Sequence, residues 1–198
     1  LHDPERAAET ARTNPEWIVG IKVRQQAEAV GSNGLEPLRL AKRAAALAGG
    51  LPIMVHVMHP PCPLSRILEL LDRGDVVSHF LHGKGHGILD ENRRIYAAVS
   101  EARQRGIRFD VGHGPVHIDF NVARIAIQEG FLPDTISTDL TRRGMAGIVK
   151  NLPYTLSRFL KLGMDIGAVI ACATTNPARM LGMEGQIGTL RKEAVADI

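Results

Sequence analysis

Five polar side chains of different chemistry are spread along the chain at similar intervals: Lys22, His56, His79, His113 and Asp139. Imidazole nitrogens and a carboxylate oxygen are the ligands that a borderline cation such as Zn²⁺ takes, and a catalytic zinc keeps one coordination position open for water. Asp139 has a second use, since a carboxylate beside such a water can accept its proton and deliver it to a leaving group. Lys22 is the odd member, because an ammonium repels a cation. In dry surroundings its pKa falls and the neutral amine becomes nucleophilic. It can then take up carbon dioxide to form a carbamate, an oxygen ligand able to bridge two cations. Each residue also has a plain structural alternative: a satisfied core imidazole for His56, an ion-paired lysine for Lys22, a helix cap for Asp139.

What joins the five is the pattern around them. Ile53-Met54-Val55-His56-Val57 is a short apolar run between Gly49-Gly50 and Pro60-Pro61, which reads as a central strand within 51–57. Similar runs at 17–23, 75–80, 107–111 and 134–139 read as four more strands. Helices are expected over 3–12, 35–47, 64–73, 91–105, 119–129, 153–162 and 165–181, several closed by a glycine at their end. Strict alternation of strand and helix is the signature of a parallel sheet. No Gly-x-Gly-x-x-Gly follows any strand, so a dinucleotide-binding fold loses its main support. A (β/α)₈ barrel takes roughly 250 residues, so five units in 198 residues fit its C-terminal part. In a parallel barrel all carboxyl strand ends open on one face, and the five residues lie at or just past those ends.

Composition narrows the classes. The chain is 44% hydrophobic and 23% charged, enough apolar content for a real core. Its net charge of +3 is scattered, not gathered in a stripe, which argues against a nucleic-acid partner. No membrane-length apolar run or signal peptide occurs. Cys62 and Cys172 sit in no metal-type or redox-type spacing, so a cytoplasmic protein with reduced thiols is expected.

The strand-end segments Gly20-Ile21-Lys22-Val23-Arg24, Met54-Val55-His56-Val57, Ser78-His79-Phe80, Phe109-Asp110-Val111-Gly112-His113-Gly114 and Pro133-Asp134-Thr135-Ile136-Ser137-Thr138-Asp139, taken in order, resemble the dihydroorotase-like, amidohydrolase/deacetylase branch of the amidohydrolase superfamily. The likeness runs on through Thr175-Asn176-Pro177-Ala178 and Gly188-Thr189-Leu190 to Ala196-Asp197-Ile198. It implies strands 4 to 8 of a TIM-like barrel over 1–185, with 186–198 beginning a return into a small β-sandwich. It implies two divalent metal ions, most naturally Zn²⁺, bridged by a carboxylated Lys22. His56 and His79 would bind the second metal, and Asp139 would bind the first and act as general base. The family's His-x-His pair, at the end of strand 1, does not occur here, which fits strands 1 to 3 lying upstream of Leu1. Thr141 stands where family members often carry His, and Glu193 where a turn glycine is commoner.

The expected activity is hydrolysis of an amide or ester bond in a small molecule by a metal-bound hydroxide, as in a deacetylase. A cyclic amidase of the dihydroorotase or hydantoinase kind and a metal-free binding homologue are the alternatives, and self-association is compatible with either. Candidate substrate contacts are Arg24, Lys84 and His113, the last equally readable as a loop-stabilising residue. His82, His86, Arg142 and Arg143 lie in mouth loops without an assigned role, while His2 and His117 are expected at the surface.

Overall fold

The computed structural model describes residues 3–195; His2 and the Ala196 to Ile198 segment lie outside the described residues. Four strands form one parallel sheet in sequence order: β1 (Ile21–Arg24), β2 (Ile53–His56), β3 (Val76–Ser78) and β4 (Arg108–Asp110). Between them run α1 (Pro4–Thr13), α2 (Ala27–Val30), α3 (Glu36–Leu47), α4 (Leu64–Leu68) and α5 (Ala97–Gln104). After β4 come α6 (Phe120–Gln128), α7 (Arg142–Ala146), α8 (Leu152–Lys161), α9 (Ile166–Ala171) and α10 (Thr175–Met180).

Strand alternation sorts the side chains. Val23, Ile53, Val55, Val77 and Phe109 join the core, the side on which α3 packs against β1 and β2. Lys22, Met54, Ser78 and Asp110 line a cavity on the other side. The register sets rows across the sheet: Lys22 is level with Met54, and two residues further toward the carboxyl ends Arg24, His56, Ser78 and Asp110 share a row.

The helices start where side chains can cap them. Asp3, Asp119, Asn151 and Asp165 each accept hydrogen bonds from backbone N–H groups in the first turn of α1, α6, α8 and α9. At the opposite end of the sheet from the cavity mouth, Asp75 accepts from the Ile53 and Asp72 amides at 2.9 and 2.8 Å and pairs with Lys42 at 3.1 Å. Asp134 does the same for β4, taking the Phe109 amide at 2.8 Å with Arg108 and Arg103 beside it.

Several expected elements are shorter or absent. The segment 134–139 is no strand: it follows β4 through a single bridge, Asp110 to Thr135. Further along, the His113 and Gly114 amides donate to Ser137 and Thr138 oxygens. Its other edge bonds to α9, with the Ile136 amide donating to Cys172 O, and Asp139 leaves extended backbone at φ +45°. Residues 17–20 stay out of the sheet because the chain turns there, the Trp17 amide donating to Asn14 O, and Trp17 is 79% exposed. The helix expected at 91–105 begins only at Ala97, since Leu89 and Ile95 first pair across a turn. The helix expected at 64–73 is only α4, and the one at 165–181 breaks at Thr174 into α9 and α10. α7 was not expected; the Thr141 hydroxyl caps it, accepting from the Gly144 amide at 3.0 Å.

Candidate metal centre

The carboxyl ends of β1 to β4 and the segment before Asp139 open on a cavity of about 480 Å³ lined in part by Lys22, His79, Asp110, Ser137 and Asp139. Three side chains converge at its edge. One ligand atom each from His79, His117 and Asp139 lies within 4.8 Å of the other two. His56 adjoins them, its ring centre 4.3 Å from that of His79 and 5.2 Å from that of His117.

His79 is the residue immediately after β3. It is buried and adopts φ +68°, a left-handed conformation that turns the ring out of the strand path. Its Nδ1–H donates to Gly112 O at 2.6 Å, which fixes the tautomer and leaves Nε2 with a free lone pair, as a metal-binding imidazole requires. Burial pulls its pKa down to about 4, with His117 adding to the effect. Gly112, at φ +48°, must be glycine, since a Cβ there would come within 2.5 Å of His79 Nδ1.

His56 is buried at the end of β2 and its Nε2 has no hydrogen-bond partner. Burial, and then its His79 and His117 neighbours, push its pKa down to about 2. A neutral, unpartnered imidazole in a dry place is a cost to folding that a cation removes.

His117 corrects the surface assignment. Its side chain is only 12% exposed, and Nδ1 lies 3.0 Å from Asp139 Oδ2 in a charge contact without hydrogen-bond alignment. Burial lowers its pKa while Asp139 opposes that. The chain returns it to the mouth through Gly114, at φ +46°, whose missing Cβ makes room for the His117 ring. Asp139 itself is 42% exposed and so remains open to solvent and substrate.

Lys22 projects from β1 toward the same cavity, with Nζ 3.4 Å from Met54 Sδ. Loss of solvent lowers its pKa; Asp110 and Asp139 oppose this, and Arg24 adds a smaller repulsion. Asp110 is a residue that sequence reasoning missed. It is buried at the end of β4 and accepts from Ser78 Oγ and Thr135 Oγ1 at 2.8 Å and from Ser137 Oγ at 2.9 Å. Burial raises its pKa against those three donors. The signal was there: an Asp inside the apolar run 107–111, two residues before Gly112.

The remaining candidates fall elsewhere. His113 is fully buried and both ring nitrogens are engaged, Nδ1 with Gly114 O and Nε2 with Arg158 Nη1, each at 2.8 Å. Of its two readings this arrangement favours the loop-holding one. Arg24, exposed, is on the same side of β1 as Lys22 and is bonded to Gln26 Oε1 at 2.9 Å. Lys84 is exposed, and its amide donates to His82 Nδ1 at 3.2 Å. His82 is buried with Nε2 unpartnered, and burial lowers its pKa to about 4. His86 is exposed, as are Arg142 and Arg143, which open α7.

The fold and this cluster define an α/β protein with a histidine-carboxylate centre at the carboxyl ends of a parallel sheet. The family model for the amidohydrolase family matches residues 22–198, and the chain belongs to that family. It is 39% identical over 187 residues to a deacetylase of Brucella anthropi, an alignment covering 93% of this chain and 46% of that protein. In solved structures it resembles an adenine deaminase, with TM-score 0.92 and 34% identity over 98% of this chain and 53% of that one. It also resembles a dihydroorotase, with TM-score 0.85 and 37% identity over 94% and 50% of the two chains. The chain thus spans about half the length of the proteins it matches. No helix among the described residues is long and apolar enough to cross a membrane.

Proposed function

We propose that these residues form part of a zinc-dependent hydrolase centre cleaving an amide or ester bond of a small molecule, in the manner of a deacetylase. The observation that carries this reading is the meeting of His79, His117 and Asp139 ligand atoms within 4.8 Å, beside the unpartnered His56 Nε2. Nitrogen and oxygen donors of this kind suit Zn²⁺. By likeness to the family, two cations would be held here by His56, His79, Asp139 and a carboxylated Lys22, with His117 beside them. Loss of solvent shifts Lys22 toward the neutral amine that carboxylation needs, against the pull of Asp110 and Asp139. The deacetylase relative from Brucella anthropi supports the reaction class.

When bound, divalent cations at such a centre lower the pKa of a coordinated water and polarise a carbonyl. The chain's own part is proton handling and placement. Asp139, on an open edge of the mouth, accepts the proton of the attacking water and returns it to the departing nitrogen or oxygen. Asp110, with three hydroxyl donors on its carboxylate, keeps Ser78, Thr135 and Ser137 in place behind the cavity. Arg24 and Lys84 are the candidate contacts for an anionic substrate group. On this reading 1–185 would correspond to strands 4 to 8 of a (β/α)₈ barrel, and 186–198 would begin a return into a β-sandwich.

Two measurements on the full-length protein test the reading. Metal analysis should find about two zinc ions per chain; a metal-replete preparation holding none would instead mark a binding homologue. A panel of N-acetyl amino acids, O-acetyl hydroxy acids and cyclic imides should show turnover of the acetylated compounds. Turnover of cyclic imides alone would make it a cyclic amidase.

A further inference from the structure

A second charged recess lies apart from the mouth. α6 and α8 border a groove of about 550 Å³ lined by Phe120, Arg124, Gln128, Arg158, Lys161 and Leu162. It shares no lining residue with the mouth cavity and contains no carboxylate. Arg124, Arg158 and Lys161 form no ion pair among the described residues. Cations gathered without a counter-charge repel one another and attract anions.

Arg158 is oriented in advance. Its Nη1 donates to His113 Nε2 at 2.8 Å, and its guanidinium carbon lies 5.3 Å from the Phe120 ring centre and 4.7 Å from that of Tyr154. Because His113 spends Nδ1–H on Gly114 O, its Nε2 can only accept, so the Arg158 contact is fixed in direction. A guanidinium held this way keeps donors free for a second acceptor and loses little side-chain entropy on binding. Arg124, tied to Asn121 Oδ1 at 3.0 Å, and Lys161 add charge on either wall. Planar guanidinium donors match phosphate oxygens, and Phe120 and Leu162 offer apolar wall to an organic remainder.

We propose that the groove between α6 and α8 binds a phosphoryl-bearing small molecule, its dianion held by Arg124, Arg158 and Lys161. Binding here stands independently of the hydrolytic reading and is measured without turnover. The test is thermal melting of the full-length protein in inorganic phosphate against sodium chloride of equal ionic strength, with succinate as a carboxylate control. Phosphate should raise Tm by several degrees in the native protein, and succinate should do much less. The rise should vanish in an Arg124→Gln, Lys161→Gln double variant, whose two side chains are exposed and whose fold is therefore kept. A phosphate effect that persists in the double variant, an equal effect of succinate, or none beyond that of salt would each overturn the proposal.

Discussion

The two ends of the sheet treat charge in opposite ways. At the amino ends, Asp75 and Asp134 each cap a neighbouring strand and meet a basic side chain, so both carboxylates have their partners. At the carboxyl ends, His56, His82 and His117 keep buried ring nitrogens with no hydrogen-bond partner. There too, His79 and Asp139 hold left-handed backbone that non-glycine residues rarely adopt. One end spends its polar groups on holding the fold. The other keeps them free at a cost to stability, which is the pattern of a site awaiting a ligand.

That contrast is sharpest if activity and stability separate on substitution. Asp139→Asn should lower kcat of the full-length enzyme about 10³-fold, the range of a lost general base. Unfolding free energy should move by no more than about 0.5 kcal/mol, since the side chain is 42% exposed and Asn keeps its shape. Steady-state kinetics and urea melts check both halves, and near-normal turnover would remove Asp139 from the reaction. Asp75→Ala should do the reverse. It strands the Ile53 and Asp72 amides and leaves Lys42 only its Asp72 partner, so about 3 kcal/mol of stability should go. kcat per folded molecule should stay close to native, and a specific loss of kcat would break the comparison.

Acid tests the same division from the other side. His56, at about 2, and His79 and His82, at about 4, lie below the ordinary 6.5. In the unfolded chain they take up protons as pH falls through 6.5, while in the folded chain they stay neutral. The unfolded state therefore binds more protons below 6.5, and stability must fall with pH in that window. For metal-free protein the loss should be roughly 1 kcal/mol per histidine for each pH unit between about 6 and 4. His82→Gln, which removes one titrating group outside the proposed ligand set, should flatten the slope measured by urea melts across that range. An unchanged slope would mean that His82 does not titrate as its burial requires.

Alternation of strand and helix, and the placing of His56 and His79 at strand ends, were legible because apolar runs and capping residues are local signals; Lys22 instead falls inside β1, two residues before its end. The run 53–57 reads as a strand from its apolar residues and its Gly and Pro borders. His117 was not legible, because no strand ends there. Its place depends on two left-handed glycines, Gly112 and Gly114, folding the loop back over the mouth, and Asp119 anchoring that loop through its amide bond to Leu81 O. The run 134–139 has strand composition, yet its amides are divided between β4 and α9, a long-range outcome that composition does not carry. Trp17 misled for a related reason: an aromatic beside Ile18 and Val19 suggests a sheet, but the turn at Asn14 leaves it in solvent.

Thr141 gives the smallest and most local test. Read by likeness it stands where relatives often carry His, which bears on substrate; in the structure its hydroxyl caps α7 on the rim just past Asp139. Both roles can be separated because a cap needs only the oxygen at the first turn. Thr141→Ser should leave α7 intact, whereas Thr141→Ala should cost about 1 kcal/mol or less, confined to that helix. Amide exchange at Gly144 should quicken in the alanine variant while exchange in β2 and β3 stays unchanged. If both variants raise KM alike with Gly144 still protected, the methyl group, and not the cap, is what the substrate feels, and the rim of the mouth begins at Thr141.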